Sequence, residues 1–183
     1  MKLYVIRHGE SENNVKACFT GWMDVNLTEK GIADAHKAGE LLRDVTFDRV
    51  YASDLRRAMD TAKNAIPGCT PIPEPLLREI GVGSLEGTPF ADYEEKGSRP
   101  LEEYGGESYA VFRGRIREFL SQMAELNCDN VAAFSHGAWI CGALSEVLGV
   151  YLKAGERILC ANCTVAIFEH RNGRWMLHSW INP

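Results

Sequence analysis

Two histidines occupy equivalent places in this chain. "LYVIRHGESENN" carries Arg7, His8 and Gly9 directly after the apolar run Leu3–Ile6, and "AAFSHGAW" carries Ser135, His136 and Gly137 after a second run. Short apolar runs of this kind read as buried strands. A strand end would more cheaply carry Asn, Asp or Ser, so ionisable side chains beside a glycine ask for a chemical reason. "YASDLRRAMDTA" adds Arg56 and Arg57 in the first turns of a helix after another strand. Cationic side chains there oppose the helix dipole unless an anion is bound. Histidines, arginines and helix N-termini around one point describe a dianion site, and phosphate is the obvious dianion. A neutral imidazole among guanidinium groups is a competent nucleophile toward phosphorus, because the positive field lowers its pKa and offsets repulsion from the phosphoryl oxygens. Arginines hold those oxygens in pairs through an in-line transfer. The departing alkoxide then needs a proton from a carboxylic acid or a second histidine. Both Glu79 and Glu86, in "LREIGVGSLEG", qualify on these grounds.

The elements that must carry these residues alternate along the chain. Strands are expected at Leu3–Ile6, Arg49–Ala52 and Val131–Phe134, and helices at Thr28–Arg43 (Thr28 as N-cap), Asp54–Ala65, Ser108–Leu126 and His136–Leu148, the last ending at Gly149. "PGCTPIPEP" allows at most an edge strand. Val165–His170 and Trp175–Trp180 flank "RNGR", a strong hairpin signal. This pattern predicts an α/β fold, a three-layer α/β/α sandwich whose mainly parallel sheet gains an antiparallel element at the C-terminal hairpin. Ligands of such sheets bind beyond the carboxyl ends of the strands, where Arg7-His8 and His136 emerge. The whole chain, 1–183, reads as a single domain. The segment Gly87–Gly106 fits neither period, and 87–107 is expected to form a short lid or cap insert.

Five segments, "RHGESENN", "FTGWMDVNLTEKG", "SDLRRAMDTA", "LREIGVGSLEG" and "FSHGAW", together resemble the histidine phosphatase superfamily, also called phosphoglycerate mutase-like. They run in the family's order and span essentially the whole chain. The resemblance implies an α/β/α sandwich and a phosphohistidine intermediate. By position, His8 matches the nucleophile, Arg7 its phosphate-binding neighbour, and Arg57, not Arg56, the second arginine. Glu79 matches the general acid and His136 the second histidine. Asn14 matches a phosphate contact, and Thr20 and Gly21 a substrate-facing loop. Arg56 is then a solvated or salt-bridged helix residue. His36, His170 and His178 read as surface or packing residues, and Trp22, Trp139, Trp175 and Trp180 as core.

Composition bounds the alternatives. Apolar residues make up 45% of the chain and charged residues 25%, with a net charge of −5. These values fit a soluble globular protein and give no reason to expect nucleic acid or a membrane as partner. With no membrane-length apolar stretch, and with Met1-Lys2 leading straight into a strand, a cytoplasmic location is expected. The six cysteines show no disulfide-framework spacing. His8-Gly9-Glu10 with Cys160-Ala-Asn-Cys163 resembles a zinc-deaminase pairing. However, Leu159 stands where that signature wants proline, and the pairing leaves Arg7, Arg57 and His136 without a purpose. "FSHGA" is no nucleophile elbow of a serine hydrolase. Arginines take the place of a metal-binding carboxylate cluster, so neither metal nor organic cofactor is expected.

Within the family, the insert "TPFADYEEKGSRPLEEYGGES" decides the reading. Its basic residues are Lys96 and Arg99, set against Asp92, Glu94, Glu95, Glu102, Glu103 and Glu107. An acidic cover repels a carboxylated bisphosphate, so water is the expected phosphoryl acceptor. The expectation is a phosphomonoesterase with a small phosphorylated metabolite as substrate, monomeric or homodimeric. A cofactor-dependent phosphoglycerate mutase is the alternative. Phe90, Tyr93 and Tyr104 of the insert are candidates for stacking on an aromatic leaving group.

Overall fold

The computed structural model describes residues 1–95, 99–150 and 158–182. Its sheet has the strand order β3-β2-β4-β1-β5-β6. The strands are β1 Lys2–Arg7, β2 Arg49–Ala52, β3 Ile72–Pro73, β4 Asn130–Ser135, β5 Val165–Arg171 and β6 Arg174–Ile181. β3, β2, β4 and β1 pair in parallel, and β5 is antiparallel to both β1 and β6. The helices are α1 Glu12–Val15, α2 Glu29–Leu42, α3 Arg56–Ala65, α4 Phe90–Glu95, α5 Tyr109–Ala124 and α6 Gly137–Leu148.

The strand period of two sorts the core into two layers. Leu3, Val5, Val131 and Ala133 meet Phe112, Ile116 and Phe119 of α5 and Trp139 and Ile140 of α6 on one face. Tyr4, Ile6, Ala132 and Phe134 meet Leu42 of α2 and Ala62 and Ala65 of α3 on the other. Helices on both faces explain why these strands are apolar without alternation. Trp139 is fully buried, with its ring edge-on to Phe119 at 5.5 Å. Its truncation to alanine would cost about 3–5 kcal/mol.

Local signals set most boundaries. Thr28 Oγ1 accepts from the Gly31 N–H at 3.0 Å and Ser108 Oγ from the Val111 N–H at 3.2 Å, so each hydroxyl caps its helix. Gly149, at φ +65°, ends α6. Asn172 and Gly173, both at positive φ, form the two-residue turn that suits the twist of the β5–β6 hairpin. The start of α3 differs from expectation. It lies at Arg56 rather than Asp54, because Asp54 pairs both carboxylate oxygens with Arg78 at 2.7 and 2.5 Å. Asp24 Oδ1 accepts from the Arg56 N–H at 3.0 Å instead.

One aromatic expectation is corrected. Trp22 is 40% exposed rather than core, lying in a loop with the Arg78 guanidinium 5.0 Å from its ring. Phe90, Tyr93 and Tyr104 form one run of edge-on ring contacts: Phe19–Phe90 at 4.7 Å, Phe19–Tyr93 at 5.1 Å and Tyr93–Tyr104 at 6.0 Å. Lys96 of the insert lies outside the described residues. No helix among the described residues is long and apolar enough to cross a membrane.

Candidate active site

Sheet register brings the two histidines together. Ile6 pairs with Phe134 and Arg7 with Ser135, while Ala52 of β2 pairs with the same Phe134. Three adjacent parallel strands therefore end level, and the residues that follow, His8, His136 and Ser53, leave at one edge. The antiparallel β5 starts at Val165, opposite Ile6, so the turn 160–163 arrives at this edge too. The His8 and His136 rings lie 5.2 Å apart between centroids, with 4% and 0% of each residue exposed.

The glycine after His8 serves close packing. A Cβ on Gly9 would lie 2.3 Å from the Gly31 carbonyl oxygen, and one on Gly31 only 2.1 Å from that of Glu10. The loop after β1 can thus rest directly on the first turn of α2. Its Gly9 N–H donates to Thr61 Oγ1 at 3.0 Å, and the Thr61 hydroxyl donates to the Arg57 carbonyl at 2.6 Å. Thr61 ties the His8 loop to the helix that carries Arg57.

A hydrogen bond fixes the proton position on the His8 ring. His8 Nδ1 lies 2.7 Å from the Gly9 carbonyl oxygen. A carbonyl can only accept, so Nδ1 holds the proton and Nε2 presents its lone pair. His136 Nε2 lies 2.9 Å from Ser53 Oγ, which itself accepts from the Leu55 N–H at 3.4 Å. Ser53 Oγ keeps a second lone pair, so this contact holds the His136 ring with Nε2 as either donor or acceptor. Both histidines have pKa values held well below the ordinary 6.5, first by burial and then by Arg57, with Arg7 adding to the effect. They are neutral at pH 7.

The two arginines at the start of α3 differ in burial. Arg57 is buried, donating through Nη1 to the Met23 carbonyl at 2.9 Å and through Nη2 to that of Gly21 at 2.8 Å. Burial lowers its pKa to about 10, against the raising influence of Glu79, Asp24 and Glu86, so it stays charged. Arg56 is exposed and reaches Asn26 Oδ1 at 3.3 Å. Arg7 donates through Nη1 to the Cys160 carbonyl. Among the described residues, three buried side-chain polar atoms have no hydrogen-bond partner: Arg7 Nε, Arg57 Nε and His136 Nδ1. The two arginine atoms are N–H donors, and all three atoms belong to the residues around His8. Buried donors are normally satisfied, and a phosphoryl group would satisfy those of the two arginines.

The remaining expected residues flank this cluster. Asn14 Oδ1 accepts from the Ser11 N–H at 3.0 Å and from Asn162 Nδ2 at 3.1 Å. A backbone N–H fixes which end of the amide is oxygen, so the Asn14 amino group is the end left to donate. Gly21, at φ +50°, offers its carbonyl to Arg57. A Cβ there would lie 2.7 Å from Val82 and 2.9 Å from Glu86 Oε1. Thr20 shares that turn, its carbonyl accepting from the Met23 N–H at 2.9 Å. Glu79 reaches the N-terminal turn of α6, where Oε2 accepts from the Ala138 N–H at 3.3 Å. Glu86 accepts from the Trp22 N–H at 2.8 Å. Of the two carboxylates, Glu79 is the one bonded beside His136, while Glu86 anchors the loop at 22.

Sequence reading missed three contributors here. Ser53 orients His136, Thr61 holds the Gly9 loop, and Asn162 donates to the His8 carbonyl at 3.0 Å. The available signal for Asn162 was a polar residue at a turn, since Cys163 beside it takes φ +59°. The C-x-x-C pair separates. Cys163 packs with Ala35 and Ala38, while Cys160 is only half-buried and packs against the other core layer. No group of three or more His, Cys, Asp or Glu residues among those described converges to hold a metal ion.

An α/β sheet whose parallel strands end in paired neutral histidines among arginines defines a phosphate-handling protein. Residues 3–183 match the model of the histidine phosphatase superfamily (branch 1), and the chain belongs to that family. It is 29% identical over 198 residues to a "Probable phosphoglycerate mutase GpmB" of Erwinia tasmaniensis, covering 99% of this chain and 90% of that protein. Among solved structures it resembles Bacillus stearothermophilus YhfR, with a TM-score of 0.87, 26% identity and 97% and 95% of the two chains covered. A phosphoserine phosphatase variant of Entamoeba histolytica, in complex with phosphoserine, gives a TM-score of 0.85, 27% identity and 98% and 95% coverage. The relatives thus include both phosphatases and mutase-like proteins.

Proposed function

We propose that this protein is a phosphomonoester hydrolase acting on a small phosphorylated metabolite through a phosphohistidine at His8. The observation that carries the reading is the set of three unpartnered buried nitrogens, on Arg7, Arg57 and His136, around a histidine whose Nε2 lone pair is free. His8 Nε2 forms a bond to phosphorus as the ester P–O bond breaks, and Glu79 gives the leaving oxygen its proton. Arg7, Arg57 and the His136 Nδ1 proton hold the phosphoryl oxygens, with the Asn14 amino group adding a fourth donor. A water molecule then gives a proton to the Glu79 carboxylate and attacks phosphorus. The P–N bond breaks, freeing inorganic phosphate and restoring His8. Thr20 and Gly21, with 87–107 as cover, face the leaving group. Neither metal nor cofactor takes part, and the substrate is a small molecule rather than nucleic acid or a membrane.

Charge near Glu79 favours water as acceptor. Arg78 is committed to Asp54 and Arg115 to Glu107, so neither offers a free cation to a second anionic group. In the insert, Arg99 pairs with Glu103 at 3.5 Å. The likeness to GpmB proteins favours a second reading, phosphoglycerate mutase. Incubation with 3-phosphoglycerate and a bisphosphate primer separates the two. Phosphate release should exceed isomerisation by a wide margin, and primer-dependent isomerisation that dominates would replace the hydrolase reading with the mutase.

A further inference from the structure

We infer that Arg115 and Glu107 are positioning residues that set the Glu79 carboxyl, an inference resting on Glu79 as the proton donor. The Glu79 carboxylate binds two backbone donors, the Ile80 N–H at 3.0 Å and the Ala138 N–H at 3.3 Å. Its placement therefore depends on how the backbone around residue 79 sits against α6. That stretch belongs to no strand and, past the single 3-10 turn Pro75–Leu77, to no helix, so no regular ladder holds it.

Arg115 takes over that task from α5. Nη1 donates to the Leu76 carbonyl at 3.0 Å and to that of Arg78 at 3.2 Å, and Nη2 donates to the Glu79 carbonyl at 3.1 Å. Nε and Nη2 grip both carboxylate oxygens of Glu107, at 2.9 and 2.8 Å. These contacts match the full donor complement of a guanidinium group. Glu107 completes the clamp, with Oε2 accepting from the Gly81 N–H at 2.7 Å and its own N–H donating to the Gly81 carbonyl at 2.8 Å. The segment before and after Glu79 is thus held at three carbonyls and one N–H by a single ion pair, whose side chains are only 16% and 12% exposed. An ion pair serving stability alone has no need to bind this particular run of backbone. Because Glu107 is the last residue of 87–107, the insert and the proton donor share one anchor.

Arg115→Lys tests this, since lysine keeps the charge but lacks the planar fork. The readout is the ratio of kcat/KM for glycerol phosphate, whose alkoxide needs a proton, to that for 4-nitrophenyl phosphate, whose phenolate scarcely does. A displaced acid should lower the ratio by ~10-fold or more. In a Glu79→Gln background the same substitution should change it by less than about twofold, because the two act through one group. A ratio unchanged in Arg115→Lys, or an effect that adds in full to that of Glu79→Gln, would overturn the positioning role and leave the acid in place. A ratio unaltered in Glu79→Gln itself would remove the acid, and the positioning role with it. If thermal unfolding shows Arg115→Lys to be unfolded, Glu107→Gln replaces it under the same criteria.

Discussion

His8 and His136 face each other at 5.2 Å between ring centroids, and each commits one ring nitrogen to a fixed partner. The Gly9 carbonyl accepts from His8 Nδ1, and Ser53 Oγ holds His136 Nε2. The pair is therefore asymmetric in which nitrogen is committed although symmetric in its place on the sheet. His8 is left with its Nε2 lone pair, and His136 with an unpartnered Nδ1.

Glu79 as proton donor predicts a dependence on the leaving group. Glu79→Gln should slow alkyl phosphates by about 10²–10⁴-fold and slow 4-nitrophenyl phosphate far less. Glu86→Gln, which loosens the Trp22 loop, should not discriminate between them. Initial rates on the two substrates decide the matter; equal slowing in Glu79→Gln would remove it as the acid.

The buried histidines predict a pH dependence of stability. Their native pKa values lie below 6.5, so the unfolded chain binds protons that the native state refuses as pH falls below 6.5. Stability is unaffected by them above that value and falls beneath it, by up to about 1.4 kcal/mol per pH unit for each histidine. The contributions of Asp34 and Asp54, whose pKa values are lowered by Lys30 and Arg78, are lost only further down, from about the ordinary 3.8. Urea unfolding at pH 7.5, 6.0 and 5.0 should show the first decline, and His136→Gln should flatten it by one histidine's share. An unaltered slope in that variant would mean His136 titrates freely in the native protein.

Activity should survive exhaustive chelation, because arginines and protonated nitrogens supply the positive field here. Dialysis against a chelator followed by assay checks this. Loss of activity restored specifically by zinc would point to ligands outside the described cluster.

Much of this arrangement was legible because it is built from strand ends. The apolar runs before Arg7 and Ser135 announce buried parallel strands, and the emergence of His8 and His136 at one edge follows from strand direction. Asn172-Gly173 likewise needs nothing beyond its own two residues to declare the hairpin. What sequence alone left open was settled by distant partners. From local pattern, Arg56 and Arg57 were equivalent until burial of one and exposure of the other separated them, and the family motif had to choose. Ser53, Thr61, Asn162 and Arg115 act through hydrogen bonds spanning tens of residues along the chain, to His136, Gly9, His8 and the 76–79 backbone. A polar side chain gives no periodic sign of such a partner. Trp22 misled for a related reason: its size suggests a core, but its N–H groups are held by Glu86 and the Glu79 carbonyl at the surface.

The central claim is that His8 carries the phosphoryl group. Brief incubation with labelled substrate, followed by quenching without acid, tests it most directly. The account predicts a phosphoprotein that is labile in acid and stable in base, mapped to His8 and absent in His8→Ala. Labelling that persists in His8→Ala would contradict it and assign the nucleophile elsewhere, with His136 the first residue to examine.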